Sequence, residues 1–240
     1  MNNHQHRRLG LIAVLLLAGL GNFAVAAQEP LGKQYETAQQ HYDIDLATRT
    51  RDSLRAQETT QSLLYAKLCL LIAELHRINY EESTTSEGDE RRELGARIDE
   101  AAEEGLSAVQ VLNDSSEKYR VQGDLYGCMI RTKFQARKYR RKMEESIAQA
   151  RAMDSKNPKA LLSAAKPFLF GKDSEENLSV ALELINQALE LNPASEQAFL
   201  LRGLAHDKMG KPEQARLDWN QALKINSDST LAKTALSKQD

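Results

Sequence analysis

The residues best suited to chemistry are few and far apart. After residue 26, the chain has three histidines (His41, His76 and His206) and two cysteines (Cys69 and Cys128). Catalytic and metal sites need such side chains in patterned spacing, and no HExxH, GxSxG, P-loop or CxxC motif occurs. Carboxylates are plentiful, but no pair has a distinctive spacing. The sequence therefore predicts a protein that is not an enzyme and has no metal or cofactor.

The two cysteines leave two alternatives. Cys69 and Cys128 are far apart in sequence, and the sequence alone does not establish a disulfide bond between them. A free, buried thiol is the commoner state of a cysteine on an apolar helix face, and we favour it here. A bridge is the alternative, because an oxidising compartment would permit one.

The densest charge is a basic run of seven cations: Arg131, Lys133, Arg137, Lys138, Arg140, Arg141 and Lys142. As a patch, the basic run would suit an acidic protein, an anionic membrane surface or an acidic glycan. As a solvated helix face, it would be balanced by Glu144, Glu145 and the acidic residues between positions 99 and 104. The second interpretation is the commoner one for helical repeats.

The N-terminal segment, positions 1–26, has the order of a secretory signal peptide. Arg7 and Arg8 precede an apolar stretch from Leu9 to Val25, and an A-x-A pattern ends at Ala26. This order predicts export to the periplasm or secretion, with cleavage after Ala26. An uncleaved N-terminal membrane anchor is the alternative. Export and a formal net charge of −2 both argue against nucleic acid as a partner.

The composition favours helix throughout, and comparison of the chain with itself reveals a repeat. The triplet Ala181, Ile185 and Ala188 recurs as Ala215, Trp219 and Ala222, at a period of about 34 residues. The helix before the second triplet has a bulky, a small and an aromatic residue at Phe199, Gly203 and His206. The same pattern occurs earlier in the chain, at Leu161, Ala165 and Phe168 and at Tyr119, Gly123 and Tyr126. The small residue allows two helices to cross closely.

This pattern resembles that of tetratricopeptide repeat (TPR) proteins, over residues 96–228. The resemblance implies an all-α fold: a TPR-type α-solenoid of antiparallel helix pairs, with three complete repeats and a fourth with longer loops. We expect residues 27–60 to be an N-terminal helical segment, with one helical stretch at 33–52. Residues 61–115 would form a divergent pair with an acidic loop at Tyr80–Arg91, and residues 116–240 the TPR array with its C-terminal cap.

The repeats are not evenly spaced. The intervals between the second-helix alanines Ala108, Ala150, Ala188 and Ala222 shorten steadily along the chain, and only the last equals one standard repeat. We expect the excess, eight residues and then four, to lengthen the turns within pairs, which would place the basic run in a lengthened turn. Lys166-Pro167 should end or kink its helix early, with a long turn from Phe170 to Asn177.

The resemblance also implies a function, because the first helices of TPR pairs line a groove that holds peptides or partner helices. Carried over to this chain, the groove residues are Glu117, Arg120, Asp124, Gly127, Cys128, Lys159, Leu162, Lys166, Gln197, Leu200, Leu204, Asp207 and Lys208. We therefore expect a protein-binding scaffold in the bacterial cell envelope. The alternative is a small-ligand-binding accessory protein of a transport system, with a pocket shaped by residues 166–170.

Overall fold

The computed structural model describes residues 29–83, 88–171 and 174–239, and the regular secondary structure in these ranges is entirely helical. The predicted signal peptide, residues 1–26, lies outside the described residues. The helices are α1 Leu31–His41, α2 Ile44–Ala56, α3 Leu63–Glu82, α4 Asp89–Gln110, α5 Ser116–Cys128, α6 Lys133–Met153, α7 Pro158–Leu169, α8 Glu175–Leu191, α9 Glu196–Lys208, α10 Pro212–Ile225 and α11 Thr230–Ser237.

The helices pack as consecutive pairs. The most extensive contacts join α3 to α4, α5 to α6, α7 to α8 and α9 to α10, and each second helix also contacts the next first helix. A shorter pair, α1 and α2, precedes them, and α11 covers the last pair. This arrangement confirms the predicted all-α solenoid of TPR type, with α3 and α4 as the fourth pair.

Small residues lie where the helices of a pair cross, as the sequence predicts. A Cβ atom added to Gly123 would lie 2.6 Å from Cγ1 of Ile147, and one added to Gly203 would overlap the Trp219 ring. Side chains on the second helix fill these positions, with Ala215 and Ala222 fully buried beside Trp219. The glycines therefore set the distance between the two helices.

The prediction that extra residues lengthen the turns is wrong for the pair α5 and α6 and only partly right for α7 and α8, which are five positions apart against three for α9 and α10. Positions 129–132 alone connect α5 to α6, against 209–211 between α9 and α10. Most of the excess lies in the second helices, since α6 has 21 residues and α8 has 17 where α10 has 14. The difference between α6 and α10 amounts to about two helical turns, which prolong a helix without changing the face it buries.

Three smaller expectations also need correction. Helix α7 continues past Pro167 to Leu169, because this proline lies in the last turn and removes a single hydrogen bond. The predicted turn does not reach Asn177, because α8 begins at Glu175. Helices α3 and α4 extend into the predicted acidic loop, since α3 ends at Glu82 and α4 begins at Asp89.

Residues 33–52 form two helices rather than one stretch. Tyr42 closes α1 in the left-handed region, with a φ of 55°. The Asp43 side chain then caps α2 by accepting a hydrogen bond from the Leu46 N–H at 2.8 Å. The break turns the chain back on itself, which is why α1 and α2 form a pair.

Capping residues and a glycine turn mark helix boundaries later in the chain. The Asn157 side chain caps α7 by accepting from the Lys159 and Ala160 N–H groups, with Pro158 in the first turn. Gly210 has a φ of 68° between α9 and α10, as expected of a left-handed turn. Cys69 and Cys128 are both free and buried. Within the described ranges, no helix combines the length and the apolar character needed to cross a membrane.

Candidate functional site: the inner cavity

The first helices of the pairs surround a cavity of about 1290 Å³. Most of its wall comes from α1, α3, α5, α7, α9 and α11, as expected for the concave side of a TPR array. Leucines from three of these helices form much of the apolar lining, among them Leu71, Leu75, Leu162, Leu200 and Leu204. Leu200 and Leu204 remain partly exposed, so this wall offers apolar surface to a partner.

A buried charge cluster joins three first helices across the floor of the cavity. The Asp124 carboxylate on α5 accepts hydrogen bonds from Arg120 at 2.7 Å, Ser163 at 2.8 Å and Lys166 at 3.1 Å. Lys166, on α7, also donates to Glu74 on α3 at 3.2 Å. One carboxylate therefore holds α5 against α7, and one ammonium holds α7 against α3.

The protonation states of this cluster are set by its own charges. Burial raises the pKa of Asp124, but Lys166 and Arg120 outweigh burial and hold the pKa below its usual value. Burial alone would lower the pKa of Lys166, but Asp124 and Glu74 outweigh burial and hold this pKa above its usual value. Both groups are therefore charged at neutral pH, and they neutralise each other.

The cluster continues toward the start of α5. Glu117 accepts from Arg120 at 2.7 and 2.8 Å and pairs with Lys67 at 3.1 Å. Burial raises the pKa of Glu117, but these two cations lower it to about 2. Tyr35 of α1 lies near the same charges, and burial raises its pKa to about 12. The N-terminal helix thus covers one end of the charged floor.

Ten of the thirteen predicted groove residues line the cavity, and three do not. The structure brings Asp124, Gly127, Cys128, Lys159, Leu162, Lys166, Gln197, Leu200, Leu204 and Asp207 to the cavity wall, but Glu117, Arg120 and Lys208 are not part of it. Of those on the wall, Leu162 and Asp124 are almost fully buried and serve the packing of the floor. Lys159, Gln197 and Asp207 are exposed. Their role in binding stays a prediction.

Side chains at the end of α1 contact the C-terminal helices and close the array into a ring. The Tyr42 hydroxyl donates to Oε1 of Glu196 at 2.6 Å. The Asn226 amide donates to Oε2 of Glu196 at 2.8 Å and to the Gln40 carbonyl at 2.9 Å. We call this set of contacts the seam. It turns an open groove into a cavity with the seam on one side.

Two further contacts strengthen the seam. Nδ1 of His41 lies 2.8 Å from an oxygen of Asp228, and the Tyr42 hydroxyl lies 3.4 Å from Oγ of Ser229. Burial and the hydrogen bond to Glu196 both raise the pKa of Tyr42, so its proton stays in place at neutral pH. Sequence reasoning missed the seam because its partners lie toward opposite ends of the chain. The only local signal was the break at Tyr42-Asp43.

The basic run lies at the start of α6 rather than in a turn. Its first member, Arg131, precedes the helix and donates to both oxygens of Asp99 on α4, at 2.8 and 2.5 Å. The Arg131 side chain is only 6% exposed. Arg131 therefore forms a structural ion pair with Asp99 and is not part of a surface patch. The other six cations are exposed.

The described histidines, His41, His76 and His206, lie on three different helices, α1, α3 and α9. Nδ1 of His206 lies 2.9 Å from Asp218, which also accepts from Arg202 at 2.6 Å. This cluster joins α9 to α10. His206, at the aromatic position of its repeat, therefore contributes a polar contact with Asp218 in addition to packing. Within the described residues, no group of three or more metal-binding side chains comes together.

Comparisons with known proteins give a likeness in fold. No protein-family profile and no curated protein matches the chain. The chain is similar to "YrrB: a TPR protein with an unusual peptide-binding site", at 14% identity over 87% of this chain and 98% of that one, with a TM-score of 0.43. It is also similar to two structures of MamA, each at 15% identity. The first covers 82% of this chain and 90% of the other at a TM-score of 0.37, and the second 80% and 94% at 0.38.

Proposed function

We propose that this protein is an exported, non-catalytic scaffold that binds a polypeptide segment of a cell-envelope partner in its inner cavity. The observation that carries the proposal is the cavity whose wall comes mostly from six helices, with partly exposed leucines and a buried charge cluster at its floor. Such concave surfaces recognise extended or helical segments through spaced apolar anchors. The signal-peptide pattern of residues 1–26 supports the location in the envelope.

The size of the cavity favours a polypeptide over a metabolite. Its volume of about 1290 Å³ exceeds the roughly 300–1,000 Å³ of small-molecule pockets. The buried charges of its floor are already paired, since Lys166 is bound by Asp124 and Glu74. What remains for a ligand is an apolar wall with scattered polar groups at its rim. A peptide with apolar anchors and a solvated backbone fits that surface.

The groove is tested by placing a charge on its apolar wall. The double variant Leu200→Asp/Leu204→Asp should lose a partner that the wild-type protein captures by crosslinking in the cell envelope. Leu217→Asp is the matched control, because Leu217 is an exposed leucine of α10, 71% accessible, that does not line the cavity. It should retain capture. Equal loss in both variants, or retention in both, would remove the cavity from the proposal.

Folding and location are measured alongside. Both leucines of the double variant are partly exposed, so its circular dichroism and thermal midpoint should stay close to those of the control. Cell fractionation of the full chain, and of a chain starting at Ala27, tests export. The full chain should be recovered from the envelope fraction without residues 1–26, and the shortened chain should stay in the cytoplasm.

A further inference from the structure

The outward face of helix α6 combines positive charge with an exposed aromatic ring. Six cations occur between residues 133 and 142, and all are exposed. Phe134 lies among them with 75% of its surface accessible, the highest of the exposed large apolar side chains in the described ranges. The chain as a whole has a formal charge of −2, so this face is a local departure from the rest of the surface.

Helical geometry places the ring among the cations, near the N-terminal end of their stripe. Tyr139, Met143 and Ala150 mark the buried side of α6. Because successive residues turn by about 100°, Phe134 and Arg141 lie opposite that side. Arg137 lies within the same stripe, and Lys133 and Lys138 flank it. The outward stripe of α6 is therefore defined by Lys133, Phe134, Arg137, Lys138 and Arg141.

Most of this charge forms no ion pair with the residues that the structure describes. Among the described residues, Lys133, Arg137 and Lys138 make no ion pair. Lys138 lies 4.7 Å from the ring centre of Tyr139, and its pKa is raised by Tyr139 and, to a smaller extent, by the more distant Glu103 and Asp99. Arg141 pairs with Glu145 at 3.3 Å, and both side chains are mostly exposed. An exposed pair of this kind is weak and exchanges readily with an external anion. The stripe is thus preformed and free to bind.

We propose that the outward stripe of α6 docks the protein on an anionic phospholipid surface. Cations attract the headgroups, and an apolar ring among them inserts at the boundary with the acyl chains. The buried side of α6 holds the helix in place, so the stripe needs no folding step before it binds. An acidic protein would satisfy the cations but would leave Phe134 facing charged groups. The proposal does not depend on ligand binding in the cavity.

The test uses the chain starting at Ala27, which keeps every described helix. It should co-sediment with vesicles of phosphatidylcholine and phosphatidylglycerol, less so as salt increases, and not with phosphatidylcholine alone. The variant Lys133→Gln/Arg137→Gln/Lys138→Gln should lower the partition coefficient about 100-fold, since each basic residue near an anionic surface contributes a roughly fivefold factor. No binding of the wild-type chain to the anionic vesicles would overturn the proposal.

A matched control separates the stripe from total charge. Lys211→Gln/Arg216→Gln/Lys224→Gln removes the same number of exposed cations around α10 and should bind close to wild type. Equal loss in the two triple variants would overturn the proposal. In a second measurement, Phe134→Trp should shift its fluorescence to the blue with anionic vesicles, while the single native tryptophan, Trp219, is buried and gives a constant background. An unshifted spectrum would contradict insertion.

Discussion

Replacing Gly203 by alanine should destabilise the protein, although the same change usually stabilises a helix. Alanine in a helix interior is favoured over glycine by about 0.5–1 kcal/mol. Here the new Cβ would overlap the Trp219 ring, well inside the 3.0 Å that real Cβ atoms keep. Trp219 is only 4% exposed and cannot swing into solvent.

The magnitude follows from the two opposing effects. Overpacking of a closed core costs about 1–3 kcal/mol, and the shifted ring also loses a hydrogen bond from Trp219 to the Leu200 carbonyl at 3.4 Å. After the helix preference is subtracted, we expect the free energy of unfolding to fall by about 1–2 kcal/mol. For a chain of this size, the thermal midpoint would fall by about 2–4 °C per kcal/mol.

Urea unfolding followed by Trp219 fluorescence measures this change at the pair it affects. Gly95→Ala is the control, because Gly95 lies inside α4 and its added Cβ would be 3.7 Å from the nearest atom, in ordinary contact. That variant should be as stable as wild type or up to about 1 kcal/mol more stable. If Gly203→Ala were as stable as Gly95→Ala, the close crossing of α9 and α10 would be refuted.

Three further results are expected. Asp124→Asn should lower the free energy of unfolding by about 3 kcal/mol at neutral pH, because Arg120 and Lys166 lose the buried carboxylate that they share and keep only Glu117 and Glu74 as counter-charges. Since the folded pKa of Asp124 is depressed, its stabilisation is full above the unfolded pKa and is lost as pH falls through the folded value, so the two proteins should converge in acid. Glu196→Ala should increase hydrogen exchange in α1, because the seam loses the acceptor of Tyr42. Cys69 and Cys128 should resist thiol reagents in the folded protein at neutral pH, because burial raises the pKa of each to about 12.

Each of these results has a matched comparison. Glu145→Gln breaks the exposed pair with Arg141 and should leave stability unchanged, so an equal effect would contradict the burial argument for Asp124. Glu190→Ala removes an exposed carboxylate from α8 and should leave exchange in α1 unaltered. Both thiols should react once the chain is unfolded in denaturant, and rapid reaction in the folded state would contradict their burial.

The fold could be predicted from the chain because its signals are local and repeated. Ala181, Ile185 and Ala188 lie on one helix face, and their recurrence one repeat later fixes both the pairing and the crossing point. Gly203 and Asn157 mark a contact and a helix start by residue type alone. These features depend on neighbours within one repeat, so a single sequence contains them.

The distribution of the extra residues could not be predicted, because spacing does not distinguish a longer turn from a longer helix. Residues 133–142 contain good helix formers with no Gly or Pro, which was the available sign that α6 would absorb the insertion. Arg131 looks like its neighbours in sequence, yet Asp99 on α4 removes it from the surface. The floor cluster around Asp124 likewise depends on which helices become adjacent, and that is set by tertiary structure.

The seam gives this chain a property that open repeat arrays lack. In such arrays each unit contacts only its neighbours, so folding can start anywhere and the ends fray independently. Here Tyr42 bonds to Glu196 from the far end of the array, and the chain must close that long loop before the contact contributes. The seam raises the contact order, and we expect this to slow the final step of folding. It also couples α1 to the C-terminal helices. Loss of order around Glu196 and Asn226 would therefore also release α1.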